Sequence, residues 1–218
     1  MNKEVDIFQI ITKDTKEKYI PITITTDRRE IFCRYYKSEK ANSAAIWVGG
    51  VGGGFDTPAN GLYPQLSKRL LDKNISSLRI QYRNPTNLAE CIYDVQAGIK
   101  FLQNEGISNI ALIGHSLGGS VVIQAATLSK NVVTVVALAS QSYGADIVQD
   151  LGEETSILLI HGTDDSVLPA SCSNVIFGKA HEPKERVLLS GNGHCLEESA
   201  EDVKEIVYNW ILRYLKDN

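Results

Sequence analysis

The sequence predicts an α/β protein: a mostly parallel β-sheet covered by helices on both faces, with antiparallel strands at the N-terminal edge. Three observations predict it. From Ala44 onward, short apolar runs of strand length alternate with segments whose apolar residues recur at helical spacing. Those runs are nearly continuous rather than alternating, as strands buried on both faces are. Before Ala44 the chain instead carries β-rich segments separated by charged turns.

The N-terminal segments Val5 to Thr12, Tyr19 to Thr25 and Glu30 to Tyr36 read as antiparallel strands. Pro21 suits an edge or a strand start, because it donates no ladder bond. Ala44 to Val48 is a short buried strand, ended by Gly49-Gly50-Val51-Gly52-Gly53-Gly54. Pro58 to Asp72 has helical spacing (Leu62, Leu66, Leu70, Leu71) with Lys68 and Arg69 outward. Ile75 to Ile80 is the next strand. Asn87 caps a helix from Leu88 to about Asn104, with Glu90 as its capping-box partner and Gly106 as its stop. Ile110 to Ile113 is a strand, Ser120 to Leu128 a helix, and Val132 to Ala139 the most apolar strand, which places it centrally. Gly144 to Leu151 has room for at most two helical turns. Ile157 to Ile160 and Arg186 to Leu189 are strands flanking a helix at Ala170 to Lys179, and Glu197 to Lys216 closes the chain as an amphipathic helix.

At 218 residues the chain is long enough for a well-buried core, and the simplest reading is one domain. With 43% apolar and 22% charged residues it has the composition of an ordinary globular protein. A net charge of -4 with scattered Lys and Arg points away from nucleic acid and anionic membrane. The four cysteines (Cys33, Cys91, Cys172, Cys195) form no Cys-x-x-Cys pair, so neither metal binding nor a disulfide framework is expected. Met1 to Asp6 has acids where a signal peptide needs a cationic and then apolar stretch, and no apolar run approaches membrane-spanning length. The expected location is cytoplasmic.

The polar and glycine-rich departures fall after Val48, Ile80, Ile113, Ile160 and Leu189, at strand carboxyl ends, where open parallel sheets place their chemistry. The central one is Gly114-His115-Ser116-Leu117-Gly118-Gly119, a strand–turn–helix with serine at the tip. A serine there needs a strained backbone to lift its oxygen clear of the sheet, and close packing leaves no room for a side chain two residues to either side. A serine hydroxyl also needs a base, and the base a third group to hold its tautomer. Of the four histidines, His194 lies in a Gly-Asn-Gly-His loop just past the last strand and can reach Ser116. His115 is expected to point away in a structural role, His161 to pack or bond locally, and His181 to be solvated. For the acid, Asp165 has the better position, three residues before Leu168-Pro169; Asp164 braces the turn, and Asp146 is a weaker third choice. Backbone N–H groups of Leu117 and Val51 can face an oxyanion. The glycine run does not fit a dinucleotide fingerprint, since the third glycine position holds Phe55, and no Lys-Ser or Lys-Thr follows the serine turn as a phosphate cradle requires.

Together Gly114-His115-Ser116-Leu117-Gly118, His161-Gly162-Thr163-Asp164-Asp165-Ser166-Val167-Leu168-Pro169 and Gly193-His194 resemble the serine α/β-hydrolases, and most of all their small, lidless dienelactone-hydrolase-like branch. The resemblance runs from about Ala44 to the C-terminus. It implies an α/β-hydrolase fold over residues 1–218 with about eight strands, and Ser116, Asp165 and His194 as nucleophile, acid and base. It implies neither a metal nor an organic cofactor, and a small-molecule ester or thioester substrate. The chain departs from the pattern in three places. Serine stands where true dienelactone hydrolases have cysteine, Gly49-Gly50 stands for a familiar His-Gly, and Gln81-Tyr82-Arg83-Asn84 replaces Asp-x-Arg-Gly; Arg83 is expected to hold that turn together rather than to reach the site. Between Ser140 and Thr155, where such proteins insert a lid, only a small helix fits, so a shallow, open site is expected and a lid-dependent lipase is disfavoured. A histidine base makes activity fall as pH drops through roughly 6 to 7, where free imidazole titrates. Acyl transfer or thioester cleavage on the same triad, and a binding module without turnover, are the competing readings.

Overall fold

A computed structural model describes residues 5–215. The leader reading of Met1 to Glu4 and the predicted helix end at Lys216 lie outside those residues. Nine strands form one sheet in the order β1-β2-β3-β5-β4-β6-β7-β8-β9. They are β1 (Ile7–Thr12), β2 (Ile20–Thr26), β3 (Arg29–Tyr36), β4 (Ser43–Val48), β5 (Ile75–Gln81), β6 (Asn109–His115), β7 (Val132–Leu138), β8 (Ser156–Gly162) and β9 (Lys184–Leu189). β1, β2, β3 and β5 are joined antiparallel, and all pairs from β5 through β4 to β9 are parallel. The α/β class with an antiparallel N-terminal edge is therefore present as expected. β7 is an inner strand, but the middle of the sheet is β4, whose six residues are all buried. Apolarity reports burial on both faces, which β4, β6, β7 and β8 share; it does not report rank in the sheet.

The helices are α1 (Leu62–Leu71), α2 (Leu88–Asn104), α3 (Leu117–Ala126), α4 (Ser171–Lys179) and α5 (Ala200–Tyr214), with a short 3-10 helix at Asp146–Asp150. Alternate strand residues feed two cores. Ile46, Leu78, Leu112 and Val135 face α2 and α3; Trp47, Ile113, Val136 and Leu158 face α1 and α5. Thr134, the polar residue inside the most apolar strand, accepts Trp210 Nε1–H at 2.7 Å and Ser156 Oγ–H at 2.7 Å, so its burial leaves nothing unpaired.

Asn87 caps α2 as its sequence predicts, accepting Glu90 N–H at 3.2 Å. The Glu90 carboxylate does not complete the capping box. It binds Arg28 and Arg83 instead, at 2.9 and 2.8 Å. Arg83 holds its own turn together, as expected: its main-chain N–H and Nε meet the fully buried Asp94 carboxylate at 2.9 and 2.5 Å, and Nη1 reaches Arg28 O. Burial pushes the Asp94 carboxyl up to about 6, against the pull of Arg83. Removing Asp94 strands a nearly buried guanidinium. Asp94→Ala is expected to cost about 3 kcal/mol in urea unfolding; a loss under about 1 kcal/mol would show that Glu90 alone suffices for Arg83.

The α1 helix starts four residues later than its apolar spacing suggests. Ala59, Asn60 and Gly61 take positive φ (49°, 51° and 91°), which no helix permits. Tertiary contacts override the local pattern: Ala59 N–H donates to Cys195 O at 2.8 Å, and Thr57 Oγ accepts Tyr63 N–H at 3.0 Å. That segment therefore clasps the loop that carries His194.

Candidate active site

Because β4, β6, β7, β8 and β9 are parallel, their carboxyl ends share one rim. Val48 is in register with Gly114, Gly114 with Ala137, Leu138 with Ile160, and Gly162 with Leu189. Ser116 follows β6 at this rim with φ 58° and ψ −120°, a region almost closed to residues with a Cβ. Its N–H donates to Leu138 O at 2.9 Å, and its carbonyl accepts Gly119 N–H at 3.1 Å. The flanking glycines are sterically required. A Cβ on Gly114 would lie 2.0 Å from Gly118 O, and one on Gly118 would lie 2.4 Å from Gly49 O. The sharp turn is thus wedged against the end of β4, with Gly50 beside Ser116.

Asp165 and His194 are joined: Nδ1 of His194 lies 2.7 Å from Asp165 Oδ2. The carboxylate only accepts, so Nδ1 carries the proton and Nε2 is the basic nitrogen. The other oxygen, Oδ1, accepts the N–H groups of Val167 and Leu168 at 2.9 and 2.8 Å. Burial alone would raise Asp165; the hydrogen bonds from His194, Leu168 and Val167 outweigh it and hold the carboxyl below its ordinary range. Asp164 braces the turn, taking Thr163 Oγ–H at 2.9 Å and donating its N–H to Asn192 O at 3.0 Å. Asp146 pairs with Lys179 on the surface.

Two histidines do more than their sequence context suggests. His115 does not point away from the site. It is 5% exposed, its ring lies 4.8 Å from that of His194, and its Nε2 donates to His194 O at 2.9 Å. Strand alternation explains this: residues 111, 113 and 115 share the face toward α5, where the His194 loop descends. Burial pushes His115 below its ordinary pKa, so it is neutral there. His161 is fully buried, and its Nε2 faces Leu168 O at 3.0 Å and Asp165 Oδ2 at 3.2 Å. Two acceptors fix the proton on that nitrogen, so His161 and His194 meet the same carboxylate oxygen of Asp165. His181 is exposed, as expected. Among the described residues the Ser116 hydroxyl makes no hydrogen bond, to His194 or otherwise; the link between them is His115, next to Ser116 in the chain, which bonds the His194 main chain and lies against its ring. Such contacts are often open in a free enzyme and close when substrate arrives.

Leu117 opens α3, so its N–H lacks a partner within the helix. Val51 lies in a turn closed by Gly53 N–H to Gly50 O at 3.4 Å and is 57% exposed. The segment from Ser140 to Thr155 carries only the 3-10 helix, so no lid stands over the rim there.

Residues 83–211, more than half of the chain, match the family model described as Phospholipase/Carboxylesterase. The chain belongs to the phospholipase/carboxylesterase family. It is an α/β-hydrolase enzyme. The family match spans Ser116, Asp165 and His194 but not Val51. No curated protein matches the sequence. Solved structures share the fold at low identity. An esterase from Pyrococcus furiosus has a TM-score of 0.77 at 16% identity, covering 94% of this chain and 98% of its own. A dienelactone hydrolase from Anabaena variabilis has 0.76 at 14%, covering 98% and 100%. Est1E from Butyrivibrio proteoclasticus has 0.74 at 15%, covering 89% and 98%. The fold is thus one this chain shares with these esterases and with a dienelactone hydrolase. Among the described residues no helix is long and apolar enough to cross a membrane.

Proposed function

We propose that this family member hydrolyses small carboxylic esters through an acyl-enzyme on Ser116, with the chain working as one domain. The observation that supports it is the 2.7 Å bond from Asp165 to His194, on a loop tied to the residue next to the strained serine. Ser116 Oγ attacks the ester carbonyl while His194 Nε2 takes its proton. The oxyanion is met by the N–H groups of Leu117 and Val51. The C–O bond then breaks, and His194 returns the proton to the departing alcohol. Water repeats the sequence and frees the acid. Asp165 stays ionised throughout, consistent with its lowered pKa, and holds the imidazole in the required tautomer.

The absence of a lid between Ser140 and Thr155 favours small or exposed acyl groups. A panel of p-nitrophenyl esters tests both claims. Turnover should be highest for acetate and butyrate and fall about tenfold or more by decanoate, since an open site gives a long chain little to pack against. Rising turnover with chain length, or a jump above the lipid's aggregation point, would contradict the lidless reading. Ligand binding without hydrolysis across the panel would point to a module that keeps the fold without turnover.

A further inference from the structure

We infer that Phe55, clamped between Arg34 and Arg79, is the anchor of the oxyanion loop, and that these three are positioning residues for the hydrolysis. The inference rests on Ser116 and Val51 acting as proposed above.

The loop needs an anchor. Five of the six residues from Gly49 to Gly54 are glycine, the residue type with most backbone freedom to lose. Gly53 and Gly54 sit at φ +73° and +60°. An oxyanion donor must be held within about 0.5 Å to be useful. Within the loop the single cross-turn bond, Gly53 to Gly50, is long at 3.4 Å.

Phe55 is the first side chain after the glycines, and it is gripped twice. Its carbonyl accepts Arg79 Nη2 at 2.5 Å. Its ring lies 4.1 Å from Arg34 Cζ and 5.6 Å from Arg79 Cζ. Arg34 in turn lies 5.0 Å from the Tyr19 ring. The result is an interleaved set, Tyr19, Arg34, Phe55, Arg79, reaching from the N-terminal strands to the loop.

The arginines themselves are the anomaly. Arg34 on β3 and Arg79 on β5 are directly opposite in register, a like-charge pair that costs stability. Among the described residues neither guanidinium pairs with a carboxylate. Arg79 is only 3% exposed, and burial pushes its pKa down, with the Tyr36 hydroxyl pulling it back. An apolar residue at 79 would suit this core face better, for its register neighbour on β4 is Trp47. Besides meeting the Tyr36 hydroxyl, the guanidinium binds the main chain of Phe55 and lies near its ring, which an apolar residue cannot do. Local rules are broken at places where function outweighs stability.

The test uses the whole chain and three variants, with active sites counted by a fluorophosphonate probe so that kcat is expressed per competent site. Phe55→Leu keeps apolar volume and loses the ring; Phe55→Tyr keeps the ring; Arg79→Met removes the donor and the charge. For Phe55→Leu and Arg79→Met, kcat should fall about tenfold or more, part of the 10²- to 10³-fold a lost oxyanion donor costs. KM should change less than about threefold, and affinity for a trifluoromethyl ketone analogue should fall with kcat/KM. Phe55→Tyr should match wild type. Should Arg79→Met not fold, Phe55→Leu against Phe55→Tyr carries the comparison. Unchanged kcat per labelled site in the Leu variant overturns the inference, whatever happens to melting temperature. A wild-type chain that takes no label at Ser116 fails earlier and sinks the nucleophile reading itself.

Discussion

Replacing Ser116 by alanine should lower kcat for an activated ester by about 10⁴-fold or more and abolish fluorophosphonate labelling, while leaving the protein as stable as before. The two halves of this expectation have separate grounds. Loss of a nucleophile from a serine triad removes the covalent path altogether, leaving only what the oxyanion donors and substrate binding supply. Stability should hold because the hydroxyl makes no hydrogen bond among the described residues, so its deletion leaves no buried partner unsatisfied. The backbone strain at φ 58° and ψ −120° is as unfavourable for alanine as for serine, so neither relief nor penalty follows. The melting temperature should move by about 2 °C or less. Retained labelling in the variant would place the nucleophile at another residue. A large fall in melting temperature would show that the hydroxyl is part of the packing.

The second large effect is structural. Gly114→Ala should destabilise the protein by about 3 kcal/mol or more, read as a lower urea midpoint and a melting temperature about 10 °C down. Its new Cβ would meet three main-chain atoms, Gly118 O at 2.0 Å, Gly118 C at 2.3 Å and Gly119 N at 2.8 Å. Main chain cannot turn aside as a side-chain tip can, so the start of α3 must shift, and Ser116 with it. A shift near 1 Å in a catalytic group costs about 10²-fold in rate, so activity should fall even where the fold survives. Gly178→Ala in α4 is the control. Nothing lies within 4 Å of its added Cβ, and alanine suits a helix better than glycine by up to about 1 kcal/mol. Equal urea midpoints for the two variants would refute the crowding argument.

Much of the local geometry of the candidate site was legible in the sequence. The serine turn announces itself because its geometry demands particular residue types at fixed short spacing. Asp165 was separable from Asp164 by its distance to Leu168-Pro169, and in the fold that spacing lets Oδ1 collect the Val167 and Leu168 N–H groups while Oδ2 turns to His194. Other parts were not legible. Nothing local marks His115 as the residue that seats the His194 ring, since the contact spans 79 positions. His161 differs: it meets Asp165 four residues on and Leu168 seven on, the local bonding its place in the chain suggests. The clamp on Phe55 joins Arg34, Phe55 and Arg79 from two strands and a loop. In the sequence nothing links the three.

What the sequence alone determined is the set of elements: strands from apolar runs, helices from 3.6-residue spacing, the Asn87 cap on α2, and the tight turn at Ser116. These depend on neighbours within a few positions, where backbone sterics and local hydrogen bonds act. Only the tertiary structure decided the strand order, the late start of α1, the escape of Glu90 from its capping box, and the seating of His194 against His115. Those outcomes depend on which distant segments the sheet sets side by side. A residue's own neighbours hold no record of that, because the pairing is chosen by burial summed over the whole core.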